Sequence, residues 1–352
     1  MNKVLRLTIP LGIALIMLGA GLLLVDASAA SGAGVQGSLL VTTLDDELND
    51  DGDCSLREAI QAATTNAAVD ACGSGDAGED TITFAVAGTI TLTEQLSVQA
   101  GGPLLIDGAA AVTLSGGGSV RIFYIGEDAD LGLQGLTLAN GYESIIGGAI
   151  YNTGTLTIVD STLSGNTAPL GGGIRNSGSL TLTNSTLSGN HADIGGGINN
   201  NGTLNITNRT FSGNFAQEEG GGIYNSGTLT IANSIVANST YGGDCSASFP
   251  ITDGGHNLSS DDSCGFDTAN GSLPDTDPLL GPLQDNGGPT WTHALLEGSP
   301  AIDAGDDTQC PATDQRGVYR PLDGDKDGLA VCDIGSFEFF FPINYLPLIV
   351  KD

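Results

Sequence analysis

The sequence GGAIYNTGTLTIVDSTLSGN, residues 147–166, is followed by three further copies that end at Asn238. These copies are GGGIRNSGSLTLTNSTLSGN from Gly171, GGGINNNGTLNITNRTFSGN from Gly195 and GGGIYNSGTLTIANSIVAN from Gly220, so the starts lie 24, 24 and 25 residues apart. Short runs of alternating Thr, Leu and Ile at this period, without a helical apolar stripe, are typical of a solenoid built from strands. We therefore predict an all-β fold, a right-handed parallel β-helix with about 24 residues per coil.

Apolar residues and asparagines keep the same place in every copy. The expected apolar columns are Ile150, Ile174, Ile198 and Ile223; Leu156, Leu180, Leu204 and Leu229; Ile158, Leu182, Ile206 and Ile231; and Leu163, Leu187, Phe211 and Val236. The asparagine columns are Asn152, Asn176, Asn200 and Asn225; Asp160, Asn184, Asn208 and Asn233; and Asn166, Asn190 and Asn214. Asparagine tolerates left-handed backbone, and its amide can bond the same amide one coil away, so these columns predict corners and ladders.

The composition suits a solenoid better than a compact globule. The 352 residues include 54 Gly, only 10 Lys plus Arg and 5% aromatic residues. The formal net charge of −31 predicts a surface that repels nucleic acid and anionic membranes and favours cations. We therefore expect a monomer without a nucleic-acid partner.

Two apolar segments lie at the ends of the chain. Residues 1–29 combine two basic residues, the apolar run Leu11–Val25 and the small-residue pattern Ala27-Ser28-Ala29, which predicts a secretory signal peptide. A membrane anchor fits less well because the run is short and ends in a cleavage pattern. Residues 340–352 form an apolar tail that is too short to span a bilayer and is a candidate sorting signal. We expect a bacterial protein that is secreted or attached to the cell surface, without a transmembrane span in the mature chain.

Six cysteines form three local couples. They are Cys54 with Cys72, Cys245 with Cys264, and Cys310 with Cys332. An even count in an exported chain indicates disulfides, and pairing between sequence neighbours is the simplest of the fifteen possible connectivities. Zinc is not expected, because no couple has the short CxxC spacing and the chain contains only three histidines.

Residues 30–80 break the strand pattern around CSLREAI, residues 54–60. Ser55 and Glu58 stand at the spacing of a capping box, and the apolar residues that follow share one helical face. A short amphipathic helix here would cover the unpaired strand edges of the first coil. The segment resembles, letter for letter, the name motif of the CSLREAI domain, which begins many exported bacterial β-helix proteins. The resemblance implies an N-terminal cap of that type.

The β-helix is predicted to occupy residues 81–270, with its clear repeats at 147–238. Short apolar runs between residues 81 and 138, separated by glycine corners, indicate earlier and less regular coils. The GGAI and GGGI elements, together with FSGN at 211–214, resemble the GGAI and FxxN repeats of chlamydial polymorphic outer membrane proteins. That resemblance implies a β-helix displayed on a cell surface.

Beyond the repeats, residues 271–339 are richer in proline and are predicted to form an irregular C-terminal cap module. The sequence DTDPLLGPLQDNGGPTWTHALLEGSPAIDAG, which starts at Asp275, is followed by DQRGVYRP and DIGSFEF. This segment resembles the choice-of-anchor Q domain that ends many exported bacterial β-helix proteins. The resemblance implies a terminal module beside a variable anchoring signal.

Two acidic loops have the spacing of calcium ligands, and calcium is the only cofactor we expect. DGDKDG at Asp323–Gly328 places oxygen donors at alternate positions before a glycine, although the usual Glu at the twelfth position is missing. The expected ligands are Asp323, Asp325, Asp327 and Asp333, and the alternative is an acidic surface turn. A second set, Glu47, Asn49, Asp51 and Glu58, matches the pattern less well because Glu58 also belongs to the capping box.

The least repetitive part of each coil is the loop before GGG, namely TAPL, HADI and FAQEE. Variable loops on one side of a solenoid are where binding surfaces usually lie. The alternative is that these are solvated loop residues without a ligand. The residues expected to share this side are Tyr151, Arg175, His191, Asp193, Glu218, Glu219 and Tyr224.

These features support two hypotheses. The first is a secreted or cell-surface, non-catalytic β-helix for adhesion, envelope structure or glycan contact, with cell-surface glycans or other envelope components as partners. Uniform ladders without a clustered acid and base favour it. The alternative is a polysaccharide lyase or glycoside hydrolase of the pectate-lyase-like class, which needs such a cluster in a groove. Its candidate catalytic residues are Asp160, Asp193, Glu218, Glu219 and Arg175.

Overall fold

The computed structural model describes residues 37–341, apart from the side chains of residues 109–111. The predicted signal peptide and all but the first two residues of the predicted tail lie outside this range. The described chain is a parallel β-helix, as the repeat predicts. Neighbouring coils pair in register, for example Leu156 with Leu180 and Leu180 with Leu204.

The strands and the helix follow the chain in this order. Before the clear repeats come β1 Gly37–Val41, α1 Leu56–Thr65, β2 Asp80–Phe84, β3 Gly88–Thr91, β4 Leu96–Val98, β5 Leu104–Ser115, β6 Phe123–Ile125 and β7 Asp130–Ala139. The repeats contain β8 Ile150–Asn152, β9 Thr155–Val159, β10 Thr162–Ser164, β11 Ile174–Asn176, β12 Ser179–Thr183, β13 Thr186–Ser188, β14 His191–Ile194, β15 Ile198–Asn200, β16 Thr203–Thr207, β17 Thr210–Ser212, β18 Phe215–Glu219, β19 Ile223–Asn225, β20 Thr228–Ala232 and β21 Ile235–Ala237. After them come β22 Cys245–Ala247, β23 Ile251–Asp253, β24 Leu258–Ser259, a 3-10 helix at Thr268–Asn270, β25 Leu280–Gln284 and β26 Thr292–Leu295.

Each regular coil contributes strands to three faces. The first face is a seven-stranded sheet with the order β22-β19-β15-β11-β8-β6-β4. The second face contains β9, β12, β16, β20 and β23, and the third contains β10, β13, β17, β21 and β24. The strand β7 belongs to both of the latter faces, because Asp130–Gln134 pair with β9 and Thr137–Ala139 pair with β10.

The interior of the solenoid is filled by the predicted columns. All sixteen apolar column residues are at most 1% exposed. The buried asparagines bond along the axis, as predicted: Asn152 donates to Asn176 (2.8 Å), Asn176 to Asn200 (2.7 Å) and Asn200 to Asn225 (2.7 Å). Asn166, Asn190 and Asn214 form a second ladder with donor–acceptor distances of 2.9 Å. A buried amide left unpaired is costly, so identical residues in successive coils satisfy one another.

The remaining column forms corners, and its members make one long amide contact, from Asn233 to Asn208 (3.5 Å). Asp160, Asn184, Asn208 and Asn233 have φ values of 49°, 47°, 52° and 50°. Asparagine and aspartate adopt this left-handed conformation at lower cost than other side chains, which explains their recurrence between the second and third faces.

Helix α1 closes the N-terminal end of the core. Ser55 accepts a hydrogen bond from the Glu58 amide (3.2 Å), and Glu58 accepts one from the Ser55 amide (2.9 Å), which completes the predicted capping box. Leu56, Ala59 and Ile60 are buried against the first strands. The Cys54–Cys72 disulfide joins the two segments that flank the helix.

Residues 276–341, which we call the C-terminal segment, include most of the predicted C-terminal module (271–339). They are irregular apart from β25 and β26, and they lie along the third face rather than over the end of the coil. Gln315 bonds both Thr162 (2.9 Å) and Thr186 (2.7 Å), which are outward residues of successive strands. The buried His293 contacts Ser188 at 2.9 Å. At the end of the solenoid, Phe266 and the Cys245–Cys264 disulfide extend the main core instead.

Candidate functional site

Five residues form a straight column on the outside of the first face. Tyr124 pairs with Tyr151, Tyr151 with Arg175, Arg175 with Asn199, and Asn199 with Tyr224. Each occupies the middle of a three-residue strand whose flanking side chains are buried, so its own side chain points outward. We call these five residues the aromatic column.

The N-terminal end of the aromatic column is a cavity of 380 Å³ lined by Arg121, Tyr124, Glu143, Ile145 and Tyr151, among others. The Tyr124 and Tyr151 ring centroids are 5.6 Å apart, and Arg121 Cζ lies 5.7 Å from the Tyr151 centroid. Exposed Ile145 adds an apolar rim. Two tilted rings beside a guanidinium and a carboxylate offer both stacking surface and hydrogen-bonding groups.

Arg121 holds this cavity in shape. Its Nε donates to the Gly147 carbonyl (3.0 Å), Nη2 donates to the Ile146 carbonyl (2.8 Å), and Nη1 donates to Gln95 Oε1 (2.8 Å). Glu143 approaches Nη2 at 3.3 Å. Because all three guanidinium nitrogens are engaged, Arg121 fixes the loop before β8 and is not free to hold a ligand anion.

The variable loops run beside the aromatic column. Strands β14 and β18 pair in parallel, and the His191 and Phe215 rings stack with centroids 4.1 Å apart. Phe215 in turn contacts the 65% exposed Tyr241 edge-on at 5.4 Å. Glu219 accepts a hydrogen bond from Ser246 Oγ (3.1 Å), and Ser246 is the register partner of Tyr224. The loops therefore form a wall along the aromatic column, with aromatic and acidic residues on it.

The residues predicted for catalysis do not form one group. Asp160 lies at a corner between the second and third faces, where its carbonyl accepts a hydrogen bond from Thr290 (2.9 Å). Burial raises the pKa of Asp160 to about 6, and one of its carboxylate oxygens is buried without a partner. Asp193, Glu218 and Glu219 are on β14 and β18, beside the first face. Arg175 is in the aromatic column, so the predicted set is divided between two sides of the solenoid.

The C-terminal acidic loop brings together a set that differs from the predicted one. Carboxylate oxygens of Asp303, Asp323 and Asp325 lie within 4.8 Å of one another. Asp327 lies outside this cluster, where its Oδ1 accepts a hydrogen bond from the Leu329 amide (2.8 Å). Asp333 is fully buried, and burial together with Glu338 raises the pKa of its carboxyl group. Sequence spacing could not reveal Asp303, because it is twenty residues before the motif.

Asp333 belongs to a buried network in the C-terminal segment. Arg320 Nε lies 3.4 Å from Glu338, and Arg320 Nη1 donates to the Asp333 carbonyl (3.0 Å). Arg316 pairs with Asp314 at 2.6 Å. These contacts show a structural role for all five charged residues.

The N-terminal acidic loop groups Glu47, Asp51 and Asp53. Asn49 uses its amide nitrogen to donate to Glu47 (2.9 Å) and Asp51 (3.2 Å). Glu58 directs both oxygens to backbone amides, those of Asn49 (3.0 Å) and Ser55 (2.9 Å). Burial raises the pKa of Glu47 and of Asp53, and neighbouring carboxylates raise it further. The carboxylate of Glu58 is thus committed to backbone amides, whereas Asn49 uses its amide nitrogen to order the loop.

Sequence reasoning missed Tyr124, Asn199 and Arg121. Tyr124 is the middle residue of FYI, which is the register equivalent of IYN one coil later, so its place could have been found by extending the repeat backward. Asn199 occupies the same position in its copy of the repeat as Arg175 in the copy before it and Tyr224 in the copy after it. The sequence around Arg121 contains no pattern that predicts its three side-chain hydrogen bonds.

Comparison with known proteins supports the repeat and goes no further. Residues 210–226, from the start of β17 to just beyond β19, match the model of the Chlamydia polymorphic membrane protein repeat. The search of curated proteins found no significant match. Among the described residues, no helix combines the length and the apolar character needed to cross a bilayer.

Proposed function

We propose that this protein is a secreted or cell-surface β-helix that binds an extended glycan along the aromatic column without cleaving it. The observation that carries the proposal is the alignment of three tyrosines and one arginine on strands of the first face, with the buried Asn199 on the strand between Arg175 and Tyr224. Five strands about 4.8 Å apart span ~19 Å. Aromatic faces with interspersed polar groups are the surface that a chain of sugar rings can stack on and hydrogen-bond to.

The scattered carboxylates support a binding role over a catalytic one. General acid and base catalysis needs two titratable groups within reach of one bond. Asp160 has a raised pKa, but it lies under residues 276–341 rather than beside the aromatic column. Within residues 37–341, Arg175 has no carboxylate partner that could complete a lyase-type site.

Two observations support a location outside the cytoplasm. Disulfides persist in oxidising compartments, and the structure contains three of them. The matched repeat is that of a polymorphic membrane protein, which favours display on the outer envelope. The CSLREAI and choice-of-anchor Q resemblances agree with a location outside the cytoplasm. The proposal includes attachment of the protein to the cell surface through residues 340–352.

We also propose that the loop containing Asp303, Asp323 and Asp325 takes calcium. Clustered carboxylate oxygens are the ligands that this hard cation prefers, and the loop offers three of them. Calcium there would stabilise the C-terminal segment and take no part in glycan binding.

The proposed function is tested with a panel of neutral and acidic oligosaccharides, measured for retention and for release of shortened products. We expect retention without product release. Replacing Tyr151 and Tyr224 by Ala should weaken binding about tenfold or more, because interface aromatics often dominate affinity. Thr157→Ala, on the second face of the same coil as Tyr151, is the matched control and should bind normally. Product release would instead identify an enzyme, and equal binding by the double variant would place the ligand elsewhere.

A further inference from the structure

Arg175 differs from every other described arginine. Arg57, Arg121, Arg316 and Arg320 each pair with a carboxylate. Arg209 has no such ion pair, but it is fully buried inside the molecule. Arg175 also has none among residues 37–341, yet it is half-buried on the outer surface rather than enclosed. In a chain with 41 acidic residues and 10 basic ones, a surface guanidinium without a carboxylate partner needs an explanation.

The free edge of this guanidinium faces solvent. Within the described chain, Arg175 makes one side-chain hydrogen bond, from Nη1 to Asn199 Oδ1. Its Nε and Nη2 have no acceptor there, and neither nitrogen is among the buried atoms that lack a partner, so both reach solvent. The contrast is Arg209, whose unpaired Nε and Nη1 are enclosed. Nε and Nη2 form the planar edge that binds a carboxylate through two parallel hydrogen bonds.

The hydrogen bond from Nη1 to Asn199 orients this edge. Tyr151 lies one strand before Arg175, and Tyr224 lies two strands after it. Asn199 is on the strand between Arg175 and Tyr224. Partial burial lowers the pKa of Arg175, while the two tyrosines oppose that shift, and an arginine keeps its charge at neutral pH regardless. A charged, oriented and partly desolvated fork binds an anion more strongly than a freely moving surface side chain does.

We propose that the glycan bound along the aromatic column carries isolated carboxylates, as a chain of neutral sugars with interspersed uronic acids does, and that Arg175 holds one of them through Nε and Nη2. This inference rests on the proposed function, and it adds the ligand's charge class and the residue that selects it. Asp193, Glu218 and Glu219 stand on the neighbouring wall, so the ligand must place its carboxylate at Arg175 and its neutral hydroxyls toward the wall. A uniformly and densely charged polyanion would be repelled there.

The test compares a galacto-oligosaccharide that carries a single galacturonate residue with the neutral galacto-oligosaccharide of equal length, by calorimetry at about 0.15 M salt, where repulsion beyond roughly 8 Å is screened. We expect the wild-type protein to bind the carboxylated chain about 10- to 100-fold more tightly, which corresponds to the net gain from one hydrogen bond to a charged group. Arg175→Gln should abolish this preference, so that the carboxylated and the neutral chain bind this variant equally. Arg175→Lys, which keeps the charge without the fork, should retain only part of the preference.

Lys326→Gln removes one positive charge from an exposed loop far along the chain and is the control for net charge, so the preference should survive in it. Equal wild-type binding of neutral and carboxylated chains would overturn the inference while leaving the proposed function intact. Binding of neither chain would reject the proposed function itself. Preference for a sulfated chain over the carboxylated one would also overturn the assignment, since it would identify a different anion.

Discussion

Arg209 stands where the other three copies have Ser161, Ser185 and Ser234, and nothing in the sequence pattern explains the exchange. Its side chain is 0% exposed, and its only side-chain hydrogen bond within residues 37–341 runs from Nη2 to the Ile158 carbonyl (3.1 Å). Burial therefore lowers the pKa of Arg209 well below its usual value. A buried cation with two unpaired donors destabilises the fold unless its charge is compensated.

We predict that Arg209→Met stabilises the protein by about 1–3 kcal/mol, because it keeps most of the volume and removes the buried donors. Urea unfolding at pH 7 measures the change. Ser185→Ala, at the same position one coil earlier, separates this effect from disturbance of the column and should not stabilise. A loss of stability in Arg209→Met would show that attraction to Asp160 outweighs the desolvation of the guanidinium.

Asp160 is the one acidic member of a corner column that is otherwise asparagine, and burial raises the pKa of its carboxyl group to about 6. The folded state thus binds a proton more tightly than the unfolded state, so stability falls as pH rises from about 4 to 6. Asp160→Asn should remove this loss and stabilise the protein at pH 7 by about 1–2 kcal/mol, a value reduced for partial exposure. At pH 4 the two proteins should unfold at nearly the same urea concentration. An equal difference at both pH values would contradict this origin.

Among the elements, helix α1 owes its start to Ser55 and its position to the apolar face on the first coil. Loss of an N-cap costs about 1 kcal/mol, and here the same helix also covers strand edges. Ser55→Ala should therefore lower the free energy of unfolding by about 1–2 kcal/mol and increase aggregation on mild heating. Gln61→Ala, on the exposed side of the same helix, should change stability by less than about 0.5 kcal/mol. Similar effects from both variants would mean that the cap does not anchor the helix.

The loop containing Asp303, Asp323 and Asp325 gives the second prediction at this scale. Three mutually repelling carboxylates should be relieved by calcium, so the ion should raise the free energy of unfolding, by about 2.7 kcal/mol at one hundred times its Kd. The double variant D323N/D325N should lose this response. Glu47→Gln, in the N-terminal acidic loop, should keep it. Thermal melts with calcium and with a chelator measure this increase in stability. If the double variant is stabilised by calcium as much as the wild type, the ion binds elsewhere.

For the whole molecule, the periodic sequence made the solenoid predictable. The contacts of the non-periodic segments could not be predicted in this way. Every coil must bury the same positions, so Ile150 or Leu156 in one copy fixes its partners in all of them. The aromatic column was partly predictable for the same reason. The contacts between Gln315 and Thr162 join residues about 150 positions apart in an irregular segment, so local pattern carries no information about them. Asp303 in the acidic cluster escaped prediction for that reason too.

The packing of residues 276–341 on the third face should respond to acid through His293. Its Nδ1 donates to the Gly281 carbonyl (2.7 Å), so the neutral ring can accept from Ser188 Oγ at Nε2 (2.9 Å). Burial lowers the pKa of His293 in the folded protein. The stability that the neutral ring contributes is therefore complete above the pKa of the unfolded state, near 6.5, and is lost as the pH falls through the pKa of the folded state. A protonated Nε2 could no longer accept the bond, and a buried charge would be created.

Trp291, the only tryptophan in the chain, lies on the same hairpin two residues from His293, and its carbonyl accepts a hydrogen bond from Thr162 (2.6 Å). Its fluorescence should therefore report detachment of the C-terminal segment, whereas far-ultraviolet circular dichroism reports the strands of the solenoid. On acidification we expect the fluorescence to change at a higher pH than the dichroism, because local opening requires less free energy than unfolding of the coils. His293→Gln, which cannot be protonated, should shift the fluorescence transition to lower pH and leave the dichroism transition in place. Coincident transitions in both proteins would show instead that the segment and the solenoid unfold as one cooperative unit.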